Sequence, residues 1–264
     1  MQLSLSGFLY ERRYQSCDLD FAEFVDLACR KGFEAVELRR TQIGVDTPLA
    51  DVATMRRIVD EAGLFVSCME ARGMPGEDPD RTAFFKALIE RAAVMGSRLI
   101  KFPGMTGADF TWHRWAADLA ASHEIALATN NHVGTIFETA EGSLDALRRF
   151  GHDNYGVLYD CLHLRFGGSD HVKAIDALAP WIRNVLIHGG RPNDSGDDPP
   201  FIETTIDDPR SQNWQAVFSA LRRVGYDGLI TVIEHTEDGS LRERIVSTYP
   251  ALLRAWWEQW KNHG

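Results

Sequence analysis

The stretch from Val224 to His235 reads VGYDGLITVIEH, and it contains one full turn of the pattern that decides the fold. A helical pattern over 214–224 stops at Val224 and Gly225, a turn follows, and the apolar run 229–233 leads into Glu234 and His235. Glycine just past the last helical residue is a common stop. A short apolar run bounded by turn residues reads as a buried strand. The same helix end, turn and new strand recurs as KGF before Glu34, AGL before Phe65 and MGSRL before Ile100.

Working outward, strand-like runs fall at 3–8, 35–38, 65–69, 99–102, 125–128, 155–159, 185–187 and 229–233. Most are nearly continuous in Val, Ile, Leu and Phe, as expected of parallel strands covered on both faces. Helical patterns lie between them at 21–30, 52–62, 82–95, 111–122, 139–150, 171–178, 214–224 and 240–261. Strict alternation implies a parallel sheet. Eight units in 264 residues leave about 33 residues each, the size of a βα repeat. A doubly wound open sheet is the competing architecture, but no GxGxxG follows the first strand. The expected fold is therefore α/β, a closed (β/α)8 barrel, forming one domain over 1–264. The longest irregular stretch, 189–210, is rich in Gly, Pro and Asp and follows the seventh strand. It reads either as a solvated insertion or as a lid over the barrel mouth.

The chain carries a net charge of −10, with 44% hydrophobic and 25% charged residues. An acidic surface disfavours nucleic acid and anionic membranes, because both need clustered Lys and Arg. Cys17, Cys29, Cys68 and Cys161 show no CxxC spacing, which favours a reducing, cytoplasmic compartment. The opening residues MQLSLSGFLYERR lack the pattern of a signal peptide, and no apolar run is long enough to span a bilayer.

In a parallel barrel, chemistry gathers where the strands end. The second strand ends at Glu37, followed by Arg39, and the third near Glu70 and Arg72. The fourth ends at Lys101 and the fifth at Asn130 and His132. The sixth ends at Asp160, with His163 three residues on; the seventh ends at His188 and the eighth at Glu234. Any one of these alone reads as a solvated or salt-bridged loop residue. Asp160, His188 and Glu234 close consecutive strands, however, and form a mixed oxygen and nitrogen set. Such a set suits Mn²⁺, Co²⁺, Zn²⁺ or Fe²⁺ better than Ca²⁺. His163 then reads as a group that supports a ligand or binds substrate.

At this point the sequence resembles the xylose isomerase-like TIM barrels, a family of sugar and sugar-phosphate isomerases and epimerases. Inosose and dehydroshikimate dehydratases and endonuclease IV are among its relatives. The resemblance rests on GFEAVEL at 32–38, NNHVGT at 130–135, GVLYDCLH at 156–163, VLIH at 185–188 and GYDGLITVIE at 225–234. It implies one divalent metal, often Mn²⁺, with Zn²⁺, Co²⁺, Mg²⁺ or Fe²⁺ as alternatives. By position the ligands would be Asn130, Asp160, His188 and Glu234. Asn130 stands where the family has a glutamate. Glu37 matches a recurring glutamate beside the sugar.

The implied activity is isomerisation or epimerisation of a sugar or sugar acid, by proton abstraction next to a carbonyl through a metal-stabilised enediolate. Epimerases of the family use two glutamates as acid and base. Here only Glu234 could act so, because an amide is no base. His132, His163, Lys101 or Glu37 would supply the missing proton transfer. Lys101, Arg39, Arg72 and Arg191 would supply cations to the substrate. Three alternatives stand beside this one. They are a dehydratase of the same family, a sugar-binding protein with a degenerate metal site, and abasic-site repair, which the acidic surface opposes. Trp256, Trp257 and Trp260 on the last helix read either as packing against the barrel or as a homo-oligomer interface.

Overall fold

The computed structural model describes residues 1–76, 79–107, 109–195 and 200–259. Eight parallel strands close into a barrel. In chain order they are β1 (Gln2–Ser6), β2 (Ala35–Leu38), β3 (Phe65–Glu70), β4 (Leu99–Phe102), β5 (Ala126–Asn130), β6 (Tyr155–Asp160), β7 (Ile182–Ile187) and β8 (Leu229–Val232). Each pairs with the next, and β8 returns to β1. The helices are α1 (Phe21–Arg30), α2 (Leu49–Glu61), α3 (Asp80–Met95), α4 (Thr111–Ala121), α5 (Ala140–Phe150), α6 (Cys161–Phe166), α7 (Lys173–Leu178), α8 (Trp214–Arg223) and α9 (Gly239–Gln259). Every residue of β6 is buried, which is why it reads in sequence as an unbroken apolar run.

Side chains alternate along each strand, and that period decides what reaches the mouth. Cys68, Leu99, Ala128, Leu158, Leu186 and Ile233 fill the barrel interior. The residues two positions beyond the first five are Glu70, Lys101, Asn130, Asp160 and His188, so they point inward one layer higher. Two buried polar pairs lie deeper. The Ser4 and Ser67 hydroxyls meet at 2.7 Å, and Asn184 Nδ2 donates to Thr231 Oγ1 at 2.8 Å. The larger apolar core lies between the strands' outer faces and the helices.

The structure departs from the sequence reading at three places. The first strand stops at Ser6 because a 3-10 turn, Gly7–Tyr10, follows it, with Ser6 Oγ accepting from Phe8 N. Helix α6 starts directly after β6, capped by Asp160 Oδ1, which accepts from Leu162 N at 3.1 Å and His163 N at 3.4 Å. The stretch after β7 contains an antiparallel hairpin, Gly190–Pro192 with Phe201–Glu203. Gly189 permits its close return: a Cβ there would lie 2.3 Å from the Thr204 carbonyl oxygen.

On α9, Trp257 is buried, its ring 5.7 Å from that of Phe218, and Trp256 packs partly buried on the same core. Trp260 lies outside the described residues. Among the described residues, no helix is long and apolar enough to cross a membrane.

Candidate active site

A cavity of about 630 Å³ opens at the C-terminal ends of the strands. Asn130, Asp160, His163, His188, Lys101 and His132 all line it, as do Arg39, Glu70 and Arg72. At its floor, Asp160, His163 and His188 each offer a ligand atom, all within 4.8 Å of one another. Asp160 Oδ2 lies 3.5 Å from His188 Nδ1 and 3.9 Å from His163 Nε2. His163 Nδ1 and His188 Nε2 are buried without a hydrogen-bond partner. A buried carboxylate with two imidazoles, His188 Nδ1 and His163 Nε2 turned toward it, fits a divalent transition ion.

The electrostatics divide the three groups. Burial alone would raise the Asp160 carboxyl, but the charges of His163 and His188 hold it down to about 2. Burial pushes His163 down to about 4. It works the same way on His188, where contact with Asp160 and Glu203 prevails and lifts the imidazole to about 10.

Glu234 sits differently from the expectation that it meets Asp160 and His188 directly at the mouth. Strand β8 ends at Val232, and Ile233 faces the interior. Glu234 follows past the end of the strand, between Gly189 and α9. There its Oε1 accepts from Gly189 N and from the Tyr249 hydroxyl, both at 3.1 Å. Burial pushes its carboxyl up to about 8. Glu234 adjoins His188 through Gly189 but does not line the cavity, and Oε2 is the oxygen it could offer a metal.

The second strand's pair is also committed internally. Arg39 is buried and faces Glu11 at 3.1 Å, Glu70 at 2.9 Å and Glu37 at 3.6 Å. Glu37 accepts from the Ser6 hydroxyl at 3.1 Å and lies below the cavity lining. Arg191, expected to bind substrate, does not line the cavity. In the hairpin Gly190 pairs with Glu203 and Pro192 with Phe201, whereas Arg191 pairs with the exposed Ile202. Alternation then sends Glu203 and Phe201 to the mouth and Arg191 away from it.

Glu203 was not recognised in the sequence. Its Oε1 lies 3.4 Å from His188 Nε2, outside hydrogen-bond geometry, and its Oε2 lies 3.8 Å from His235 Nδ1. The only signal available was an acidic residue inside a long loop. Of the fifth-strand amides, Asn130 faces the cavity. Asn131 is buried and structural, with Nδ2 donating to Ser143 Oγ at 2.7 Å. The His132 ring lies against His163 with centroids 4.0 Å apart, and its Nδ1 is 2.7 Å from the Val133 carbonyl oxygen. A carbonyl only accepts, so Nδ1 is the donor here, and a ring with its one proton on Nδ1 has Nε2 bare.

A closed parallel barrel with carboxylates and imidazoles gathered at the strand ends defines the class: a (β/α)8 barrel with its candidate chemistry at the C-terminal mouth. The chain belongs to the xylose isomerase-like TIM barrel family, whose model matches residues 25–256. The 3-dehydroshikimate dehydratase of Bacillus anthracis is 23% identical over 190 residues. That match covers 63% of this chain and spans 65% of the dehydratase's length. Among solved structures, D-psicose 3-epimerase from Clostridium cellulolyticum H10 superposes with a TM-score of 0.74 at 14% identity, over 97% of this chain and 99% of its own. The IolI protein with a bound zinc atom gives 0.75 at 16%, over 98% and 99%. At these identities the structural matches speak for the fold.

Proposed function

We propose that the protein is a divalent-metal-dependent isomerase or epimerase. It would remove a proton from the carbon beside a carbonyl in a small sugar or sugar acid. The observation that carries this reading is the donor set at the cavity floor, Asp160, His163 and His188. These residues would hold the ion, with Glu234 through Oε2 and Asn130 through its amide oxygen completing the set. Mn²⁺ is the preferred metal, and the zinc bound by the similarly folded IolI protein supports a transition ion. When bound, the ion supplies Lewis acidity toward adjacent carbonyl and hydroxyl oxygens.

The remaining work falls to this chain's own side chains. His132 takes the proton at its bare Nε2. It stands two residues past Asn130, whose amide is no base. His163, stacked on it, is kept neutral by burial and adds no competing cation. Lys101, on the neighbouring strand, faces the cavity and offsets negative charge developing on the substrate. Phe8, Phe201 and Ile233 form apolar wall and limit water. One base on one face suits a single-base proton shuttle better than the two-carboxylate scheme.

Proton NMR in D₂O, with Mn²⁺ and a panel of D-fructose, D-psicose, D-tagatose and L-ribulose, tests the reading. The expected result is deuterium uptake at the carbon beside the carbonyl. His132→Gln should slow it about 10²–10⁴-fold while leaving Mn²⁺ affinity within about threefold. Protein that binds Mn²⁺ yet exchanges no proton in any of these sugars would remove the isomerase assignment.

A dehydratase is the second reading. It is favoured by the curated relative and by Lys101 and Arg72, which line the cavity and suit a carboxylate-bearing substrate. Loss of water from 3-dehydroshikimate creates an aromatic ring, so near-ultraviolet absorbance growing when 3-dehydroshikimate is supplied in place of the sugars would select it.

A further inference from the structure

We propose that Glu203, carried on the hairpin after β7, fixes the orientation and tautomer of His188 and so couples docking of that hairpin to metal affinity. The inference rests on the metal reading above and deepens it. The His188 ring stands between two carboxylates, with Nδ1 3.5 Å from Asp160 Oδ2 and Nε2 3.4 Å from Glu203 Oε1. A ring that gives one nitrogen to the metal cluster carries its proton on the other. Nε2 is buried with no hydrogen-bond partner, and Glu203 is the acceptor facing it. A carboxylate behind a ligating imidazole sets the tautomer and raises ligand basicity.

The backbone reinforces the link. Gly189, directly after His188, carries the hairpin's return strand in close contact. Thr204 N donates to the Gly189 carbonyl at 3.1 Å, and the space a Cβ would need is taken by Thr204 and Thr205. Phe201, on the same hairpin face, meets the edge of His163 with centroids 5.5 Å apart. Displacing the hairpin therefore removes packing from one cluster residue and the facing charge from another. On the β5 side the cavity presents Asn130, a neutral amide that brings no negative charge. Glu203 brings one from the hairpin side.

Isothermal titration of Mn²⁺ into chelator-stripped full-length protein tests this, with Co²⁺ absorption spectra as a second readout. Glu203→Gln should weaken Mn²⁺ about 10–100-fold and shift the Co²⁺ ligand-field bands, while Glu203→Asp recovers part of the loss. Ile202→Ser, on the hairpin's outward face, should bind as wild type does. Wild-type binding with an equally tight Glu203→Gln and an unchanged Co²⁺ spectrum overturns the coupling and leaves the metal reading standing. Wild-type protein that takes up no Mn²⁺ or Co²⁺ overturns both.

Discussion

Arg39 is buried against Phe8, its guanidinium 4.7 Å from the ring centroid, and it is shared by Glu11, Glu37 and Glu70. Burial works against its charge, but the three carboxylates more than compensate and hold the guanidinium ionised. Glu37 Oε2 and Glu70 Oε2 have no partner of their own. Removing the guanidinium that these three carboxylates share leaves them facing each other in a low-dielectric wall. Arg39→Met should therefore cost about 3–5 kcal/mol, read as a lower urea midpoint. A midpoint unchanged from wild type would mean that the cluster relaxes into water. Glu37 and Arg39 were recognisable from their place at a strand end. Glu11 was not, because it sits in a two-residue strand with no periodicity to betray it.

The hairpins and the last helix act at the next scale. The first hairpin, Glu11–Arg12 with Ser16–Cys17, is tied to α9 through Asp18, which contacts Arg242 and Arg12. The Arg242 contact, with Arg12 beside it, holds the Asp18 carboxyl below its ordinary 3.8. A lowered folded value adds stability above the unfolded value and loses it as pH falls and the group protonates. Asp18→Asn should thus be less stable than wild type at pH 6, by about 1 kcal/mol or less, with the gap closing below pH 3.8. A gap that does not narrow at all in thermal melts taken from pH 6 down to about pH 2 would contradict the ion-pair account. Elements with a clear period were legible in sequence, as α8 was to within a residue. Helix α6 was hidden because its cap, Asp160, is also the last residue of β6.

Across the whole molecule, a two-residue period repeated around a closed ring explains both what sequence made visible and what it obscured. Lys101, Asn130, Asp160 and His188 were legible at the mouth because each lies two positions beyond an interior residue of a clear apolar run. Glu234 was placed there by the same logic, but Ile233 takes the inward position and the carboxylate turns toward Tyr249. Glu203 belongs to the ring only through tertiary folding of a loop, which no local pattern encodes. Lys101 and Arg72 bring cations to the mouth of a chain whose net charge is −10. The central claim is that three strand-end groups form a metal centre. Elemental analysis after equilibration with Mn²⁺ and gel filtration tests it most directly, comparing wild type with Asp160→Asn and His188→Ala. The account predicts about one metal per chain in the wild type and almost none in either variant, all three remaining folded by circular dichroism. Equal metal content in all three, or none in the wild type, would contradict it.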